Sequence, residues 1–339
     1  MSAEEPNANQ AMSPANVCAI VVAYYPDEQL LRESIQSALK QVNHVIVIDN
    51  SPGWTTLLPP NSNCWNDVCM VDEESEARRL IVVANPKNLG LPKAFNQGIA
   101  VARTLHASHV LFLDQDSVLA PSAVERLLSS ERALSRRFNV GALQARNLEP
   151  VTLTQDDLLS DYLARRGRFN SMGVREQILL INSGTFMRTD ILQDVGGYNE
   201  KYFVDGIDHE IALRLQVRGY RIFRVQDAII RHKRGEIRIF KKFGLTFALR
   251  QEGVRRHFYI SRDTLRTVRA YSRQMPTVAL LLALSVFAHF VAILIGASDR
   301  RRALISFFAG IVEFIRGGSG EYDFGILGLR PPSRASRSV

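Results

Sequence analysis

Short runs that are almost wholly apolar recur through the first third of the chain: VCAIVVA at 17–23, HVIVID at 44–49, LIVVA at 80–84 and VLFLD at 110–114. A strand wetted on one face alternates apolar and polar residues, whereas a strand covered on both faces does not. These runs are therefore expected as strands sandwiched between helices. The segments between them supply the helices: 30–41 places Leu30, Leu31, Ile35, Ala38 and Leu39 at helical spacing, and 92–105 carries small residues on one side. Strand and helix alternating through short connections give parallel pairing with right-handed crossovers. The expected fold class is α/β, a Rossmann-like, mostly parallel sheet flanked by helices.

No GxGxxG follows the first strand, and no GxxxxGK[ST] loop occurs, so a bound nucleotide would be held by side chains and metal instead of a glycine-rich cradle. Carboxylates for that purpose stand at the end of the fourth run, where Asp114, Gln115 and Asp116 follow Leu113. The two aspartates are expected on opposite sides, one facing back into the fold and one facing the crevice beyond the strand ends, where open α/β sheets bind ligands. Mg²⁺ or Mn²⁺ takes one or two carboxylates together with phosphate oxygens. The same residues also fit an Asp-capped start to the helix expected near Pro121.

Farther on, a strand is expected at 140–145, a polar region to about 176, a strand with a glycine kink at 178–187 and a short helix at 191–195 ended by Gly196-Gly197. The acidic stretch FVDGIDHE at 203–210 runs into a helix that stops at Gly219, and short strands at 222–225 and 228–230 lead to His232. Residues 54–79, with Trp54, Cys64, Trp65 and Cys69, read as irregular. The organisation expected is a disordered lead at 1–15, one α/β domain over 16–235 and a basic, apolar helical region over 236–339.

A formal net charge of +8 suits a phosphate ligand, an anionic membrane surface or nucleic acid. Three cysteines make no even framework and no secretory signal precedes the first strand, which points to a reducing, cytoplasmic setting. From 238 to 273 arginines and lysines alternate with Phe and Tyr, without a recognisable nucleic-acid module. Residues 277–296 are long and apolar enough to cross a bilayer. His289 within them, and basic residues on both sides, favour a hairpin with 303–315 lying on an anionic membrane face. A buried helical core or a dimer interface is the alternative, and homo-oligomerisation stays open.

Five stretches together resemble the inverting family 2 glycosyltransferases of GT-A fold, and within them bacterial rhamnosyltransferases: VVAYYPDEQLL, VIDNSP, NPKNLGLPKAFNQGI, LDQDS and YFVDGIDHEIALRLQVRGYRIF. The resemblance covers roughly 17–232 and departs at Ile211, where the family pattern has Trp. It implies a nucleotide-sugar donor bound at Ala23, Tyr25, Asp49, Asn88, Gly90, Asn96, Asp114 and Gln115, with Asp49 contacting a thymine or uracil ring. It implies Mg²⁺ or Mn²⁺ held by Asp116, with Asp114 holding the ribose or reaching the metal through water; His232 binds the metal or the β-phosphate, or is a structural residue. Asp208 is the implied base, with Glu210 sharing or orienting that role and Asp205 on the same face if the turn is helical. Gly184 and Thr185 would floor the acceptor site or form a kinked core strand, and Lys233-Arg234 would grip the diphosphate or form a solvated basic turn. Arg214 either serves the acceptor site or forms an i, i+4 ion pair with Glu210. The implied reaction moves L-rhamnose from dTDP-rhamnose, or a sugar such as galactofuranose from a UDP-sugar. The acceptor would be a lipid-linked or cell-surface glycan at the cytoplasmic face of the inner membrane. A nucleic-acid-binding protein and a nucleotidyltransferase are the rival classes.

Overall fold

The structure, a computed structural model, describes residues 15–52, 63–65, 68–72, 79–148, 170–171, 173–232, 237–242 and 245–329. All but Ala15 of the expected lead, Trp54 and the Lys233-Arg234 pair lie outside the described residues. The first half runs β1 (Val17–Ala23), α1 (Glu28–Leu39), β2 (His44–Asp49), β3 (Asn63–Trp65), β4 (Val68–Asp72), β5 (Arg79–Ala84), α2 (Leu91–Thr104) and β6 (His109–Asp114). It continues with β7 (Ser117–Leu119), α3 (Ala123–Ser135), β8 (Val140–Asn147), β9 (Asn170–Ser171), β10 (Val174–Gln177), β11 (Thr185–Arg188), α4 (Thr189–Val195), α5 (Ile207–Val217) and β12 (Arg221–His232).

Among the described residues these strands form one sheet in the order β3-β4-β5-β2-β1-β6-β11-β8-β12-β10-β9, with β7 on β12. β1 is parallel to both β2 and β6, and β2 to β5, so their carboxyl ends share one edge. The all-apolar composition of β1 now has its reason. Val17, Ala19 and Val21 pack under α1 and α3, whereas Cys18, Ile20 and Val22 pack under α2, α4 and α5. The mixed half is built around β11, which runs antiparallel to both β6 and β8.

Several expectations need correction. The strand expected over 178–187 is confined to Thr185–Arg188, because Gly184 adopts φ +81° and donates its N–H to Phe112 O. A Cβ there would stand 2.9 Å from Ile230, so the kink is built into close packing. The strands expected at 222–225 and 228–230 are one strand, with a bulge between Val225 and Ile229 absorbing the break in pattern. Part of the stretch read as irregular at 54–79 is the antiparallel pair β3–β4.

The basic region is not helical from its start. β13 (Ile237–Lys242) and β14 (Leu245–Arg250) form a separate antiparallel hairpin, followed by α6 (Arg256–Tyr271), α7 (Pro276–Gly296), α8 (Arg300–Arg316) and the 3₁₀ turn η1 (Phe324–Leu327). α6 is the hub of this region. Ser261 Oγ donates to Phe307 O of α8 at 2.8 Å, and the fully buried Arg262–Asp263 pair is completed by Arg262 Nη1 donating to Gly320 O at 2.8 Å. His257 of α6 and His289 of α7 share a hydrogen bond at 2.9 Å, and burial lowers them to about 4 and about 3 respectively. Both are therefore neutral at pH 7.

Two outcomes follow from this packing. A Cβ on Gly310 of α8 would collide with Phe258 O and Ser261 Oγ, so Gly310→Ala should destabilise the chain by about 1–3 kcal/mol in urea denaturation. The two histidines have folded pKa values below the unfolded value of about 6.5, so their contribution is complete above that pH and is lost as pH falls towards 4. The melting temperature should drop over that window, and the double variant His257→Leu/His289→Leu should flatten the drop.

Candidate functional site

The carboxyl ends of β1, β2 and β6 face one crevice. Ala23 and Asp49 lie in register there, as do Val22 and Asp114. Tyr24 N donates to Gln115 Oε1 at 2.8 Å and Tyr25 N to Ser51 Oγ at 2.6 Å, so Gln115 ties the loop after β1 to the loop after β6. Asp49 is buried, its Oδ1 accepts from Ser51 N at 2.8 Å, and desolvation raises its pKa. Asn50 Nδ2 donates to Gly90 O, and Asn88 Oδ1 accepts from Gly90 N. Gly90 has φ +82°, and a Cβ would lie 2.7 Å from the Phe203 carbonyl, which accepts from Leu91 N at 2.8 Å. The loop before α2 thereby supports the start of the acidic stretch. Asn96 does not face the crevice with a free amide: it exchanges hydrogen bonds with the Tyr198 backbone and donates to Glu200.

Asp114, Asp116 and His232 converge, each offering a ligand atom within 4.8 Å of the others. This corrects the expectation of two aspartates on opposite sides. Positions i and i+2 of a strand share a face, and here β6 ends at Asp114, so the turn that follows brings Asp116 round beside it. The antiparallel pairing of β7 with the end of β12 sets His232 opposite Ser117. His232 Nδ1 then lies 3.1 Å from Asp116 Oδ1 and Nε2 lies 3.3 Å from Asp114 Oδ2. Asp114 has a raised pKa, chiefly through desolvation; Asp116 and Asp208 push it the same way, while His232 and Arg256 oppose. A divalent cation fits this donor set, because two carboxylates and an imidazole gathered in a half-buried crevice are hard or borderline ligands.

Sequence reasoning missed the residues that hold this cluster. Buried Ser117 Oγ lies 2.6 Å from Ser183 Oγ and 3.1 Å from His232 Nδ1, and the Asn147 side chain bonds both backbone groups of His232. Their only signal is the β7–β12 register, which no local pattern announces.

Asp208 stands in the first turn of α5, half-buried, with Oδ1 accepting from His209 N at 2.9 Å. Its charge acts on Asp114 and on Tyr198, so it lies within electrostatic reach of the cluster. Asp205 does not share its helical face, because Gly206 caps α5 with φ +75° and breaks the turn between them. Asp205 instead pairs with Arg256 of α6 at 3.0 Å, and Arg256 also pairs with Glu252. Glu210 is buried and committed: Arg214 grips it, and Tyr271 OH donates to it at 3.0 Å. Arg214 also donates to Val195 O and Gly197 O, so the i, i+4 pair knits α5 to the end of α4. Gly184 and Thr185 are buried, and the Thr185 hydroxyl donates to Ile181 O at 2.7 Å. Neither offers a side chain to the crevice.

Electron paramagnetic resonance of Mn²⁺ gives the check. Asp116→Ala should abolish detectable binding at the cluster, and Ser117→Ala should weaken it about tenfold by freeing the imidazole. Unchanged Mn²⁺ affinity in Asp116→Ala would contradict the placement.

Comparison with known proteins gives the family and the fold. The family described as "Glycosyl transferase family 2" matches residues 19–196, and "Glycosyl transferase family group 2" matches residues 109–315. The dTDP-rhamnosyl transferase RfbF of Shigella flexneri is 23% identical over 237 residues, covering 66% of this chain and 70% of RfbF. An uncharacterized glycosyltransferase of Methanocaldococcus jannaschii, MJ1057, is 25% identical over 114 residues, covering 32% of this chain and 35% of MJ1057. In fold, the chain is similar to GalNAc-T7, solved with UDP, GalNAc and Mn²⁺, at a TM-score of 0.51 and 11% identity over 90% of this chain. It spans 57% of the length of that neighbour.

Proposed function

Because the chain belongs to glycosyl transferase family 2, we propose that it transfers L-rhamnose from dTDP-rhamnose, with inversion, to a hydroxyl of a glycan acceptor. The observation that carries this reading is the convergence of Asp114, Asp116 and His232, with the Asp208 charge in reach of Asp114. Similarity to a dTDP-rhamnosyl transferase supports the choice of donor.

In this mechanism the acceptor oxygen attacks the anomeric carbon, the bond from that carbon to the diphosphate oxygen breaks, and the acceptor proton passes to the Asp208 carboxylate. Asp208 is preferred over its neighbours because Asp205 and Glu210 are both held by arginines. Asp114, Asp116 and His232 would hold Mg²⁺ or Mn²⁺, which when bound supplies positive charge against the departing diphosphate. Asp49 and the loops joined by Gln115 and Asn50 would position the pyrimidine and ribose, so that attack is in line. A UDP-sugar donor is the second reading, favoured by the same Asp49, since thymine and uracil present the same ring edge.

Transfer from dTDP-rhamnose and from a panel of UDP-sugars tests the proposal. Asp208→Asn should lower kcat by about 10²–10⁴-fold with the donor KM little changed. Full turnover in that variant would overturn the base assignment, and turnover with UDP-sugars alone would replace the donor.

A further inference from the structure

The α7–α8 hairpin presents an apolar face that nothing in the described chain covers. α7 contains no Asp, Glu, Lys or Arg, and its most apolar window has a mean hydropathy of 2.7 with 28% of that window buried. Leu280, Leu284, Phe287 and Leu294 are exposed at helical spacing along one side of it. Ile305, Phe308, Val312 and Ile315 form a second exposed stripe on α8. The rings of Phe290 and Phe308, 5.8 Å apart, join the two helices. A continuous apolar patch from two helices is what water-exposed monomers avoid.

The opposite side of α7 decides how such a face can be used. Val278 and Leu282 pack on Leu179, on Leu213 of α5 and on Tyr271 of α6. Val286 and Ile293 pack on Leu265, Ala303 and Phe307. His289 is bonded to His257. α7 is thus fastened along its length to a body that contains the buried Arg262–Asp263 pair. Crossing a bilayer would strip that whole inner stripe from its partners and drag polar groups into hydrocarbon.

From this we propose that α7 and α8 lie in the plane of an anionic phospholipid bilayer, inserting their outer stripes at the level of the headgroups without spanning it. Charge selects the bilayer over a second copy of the chain. Arg300, Arg301 and Arg302 are exposed at the hairpin turn and Arg316 at the end of α8, against Asp299 and Glu313 alone between 276 and 316. A second copy of the hairpin would offer these arginines only Asp299 and Glu313 as counter-charges, whereas an anionic bilayer offers them phosphate. Docking stands on the helices and does not depend on the donor assignment.

Flotation of the full chain with phosphatidylcholine vesicles, with and without phosphatidylglycerol, tests the proposal. The wild type should float with the anionic vesicles and be released by alkaline carbonate or high salt. Leu284→Asp/Ile315→Asp, whose exposed side chains belong to none of the core clusters, should cut partitioning at least tenfold with an unchanged thermal melt. Replacing Arg300, Arg301 and Arg302 by Gln should weaken anionic partitioning roughly fivefold per arginine. Resistance to carbonate would overturn the proposal in favour of a span. Failure to float, with a dimer in solution that Leu284→Asp/Ile315→Asp splits, would overturn it in favour of self-association.

Discussion

The pairing of β7 with the last residues of β12 is the constraint on which the site depends. Asp114 and Asp116 belong to one strand end and its turn, but His232 lies more than a hundred residues later, and only the register of that short ladder delivers it. Once delivered, its backbone is fixed by the Asn147 side chain and its imidazole by Ser117, and the two ring nitrogens face two carboxylates. Desolvation in this crevice, with the nearby Asp116 and Asp208 charges adding to it, raises the pKa of Asp114 and so the cost of ionising it. A cation offsets that cost, so the cluster that looks strained as protein alone is suited to a charged ligand.

A second constraint acts from behind. The acidic stretch that carries Asp208 is flanked by Phe203, stacked on Tyr259 of α6, and by Tyr202, whose hydroxyl lies 2.9 Å from Thr267 Oγ1. Asp205 pairs with Arg256 and Glu210 meets Tyr271. Four neighbouring residues of the stretch are therefore held by one helix from the basic region. The same helix holds α7 and α8 through its other face. The C-terminal helices thus form the back wall of the loop that positions Asp208, and the apolar hairpin is continuous with that wall.

How far the sequence could be read follows from where information is local. β1, β2, β5 and β6 declare themselves because burial on both faces removes every polar residue from a strand interior. Asp114 and Asp116 declare themselves by sitting at a strand end, and Asp208 through the resemblance of its stretch to the family pattern. The Arg214–Glu210 pair was legible as an i, i+4 spacing. Ser117, Ser183, Asn147 and Arg256 were not, because each acts through a partner fixed by tertiary register. The extent of the strand around the kink at Gly184, the bulge in β12 and the β13–β14 hairpin were misjudged for a related reason. In each, packing between distant segments overrides local pattern.

The central claim is that the crevice at the ends of β1, β2 and β6 binds a pyrimidine nucleoside diphosphate with help from a divalent cation. Calorimetric titration of the full chain with dTDP, UDP and GDP, in Mg²⁺ and again in EDTA, tests it most directly. The account predicts binding of dTDP and UDP that collapses in EDTA, with GDP much weaker. Equal binding of all three, or binding indifferent to EDTA, would contradict it.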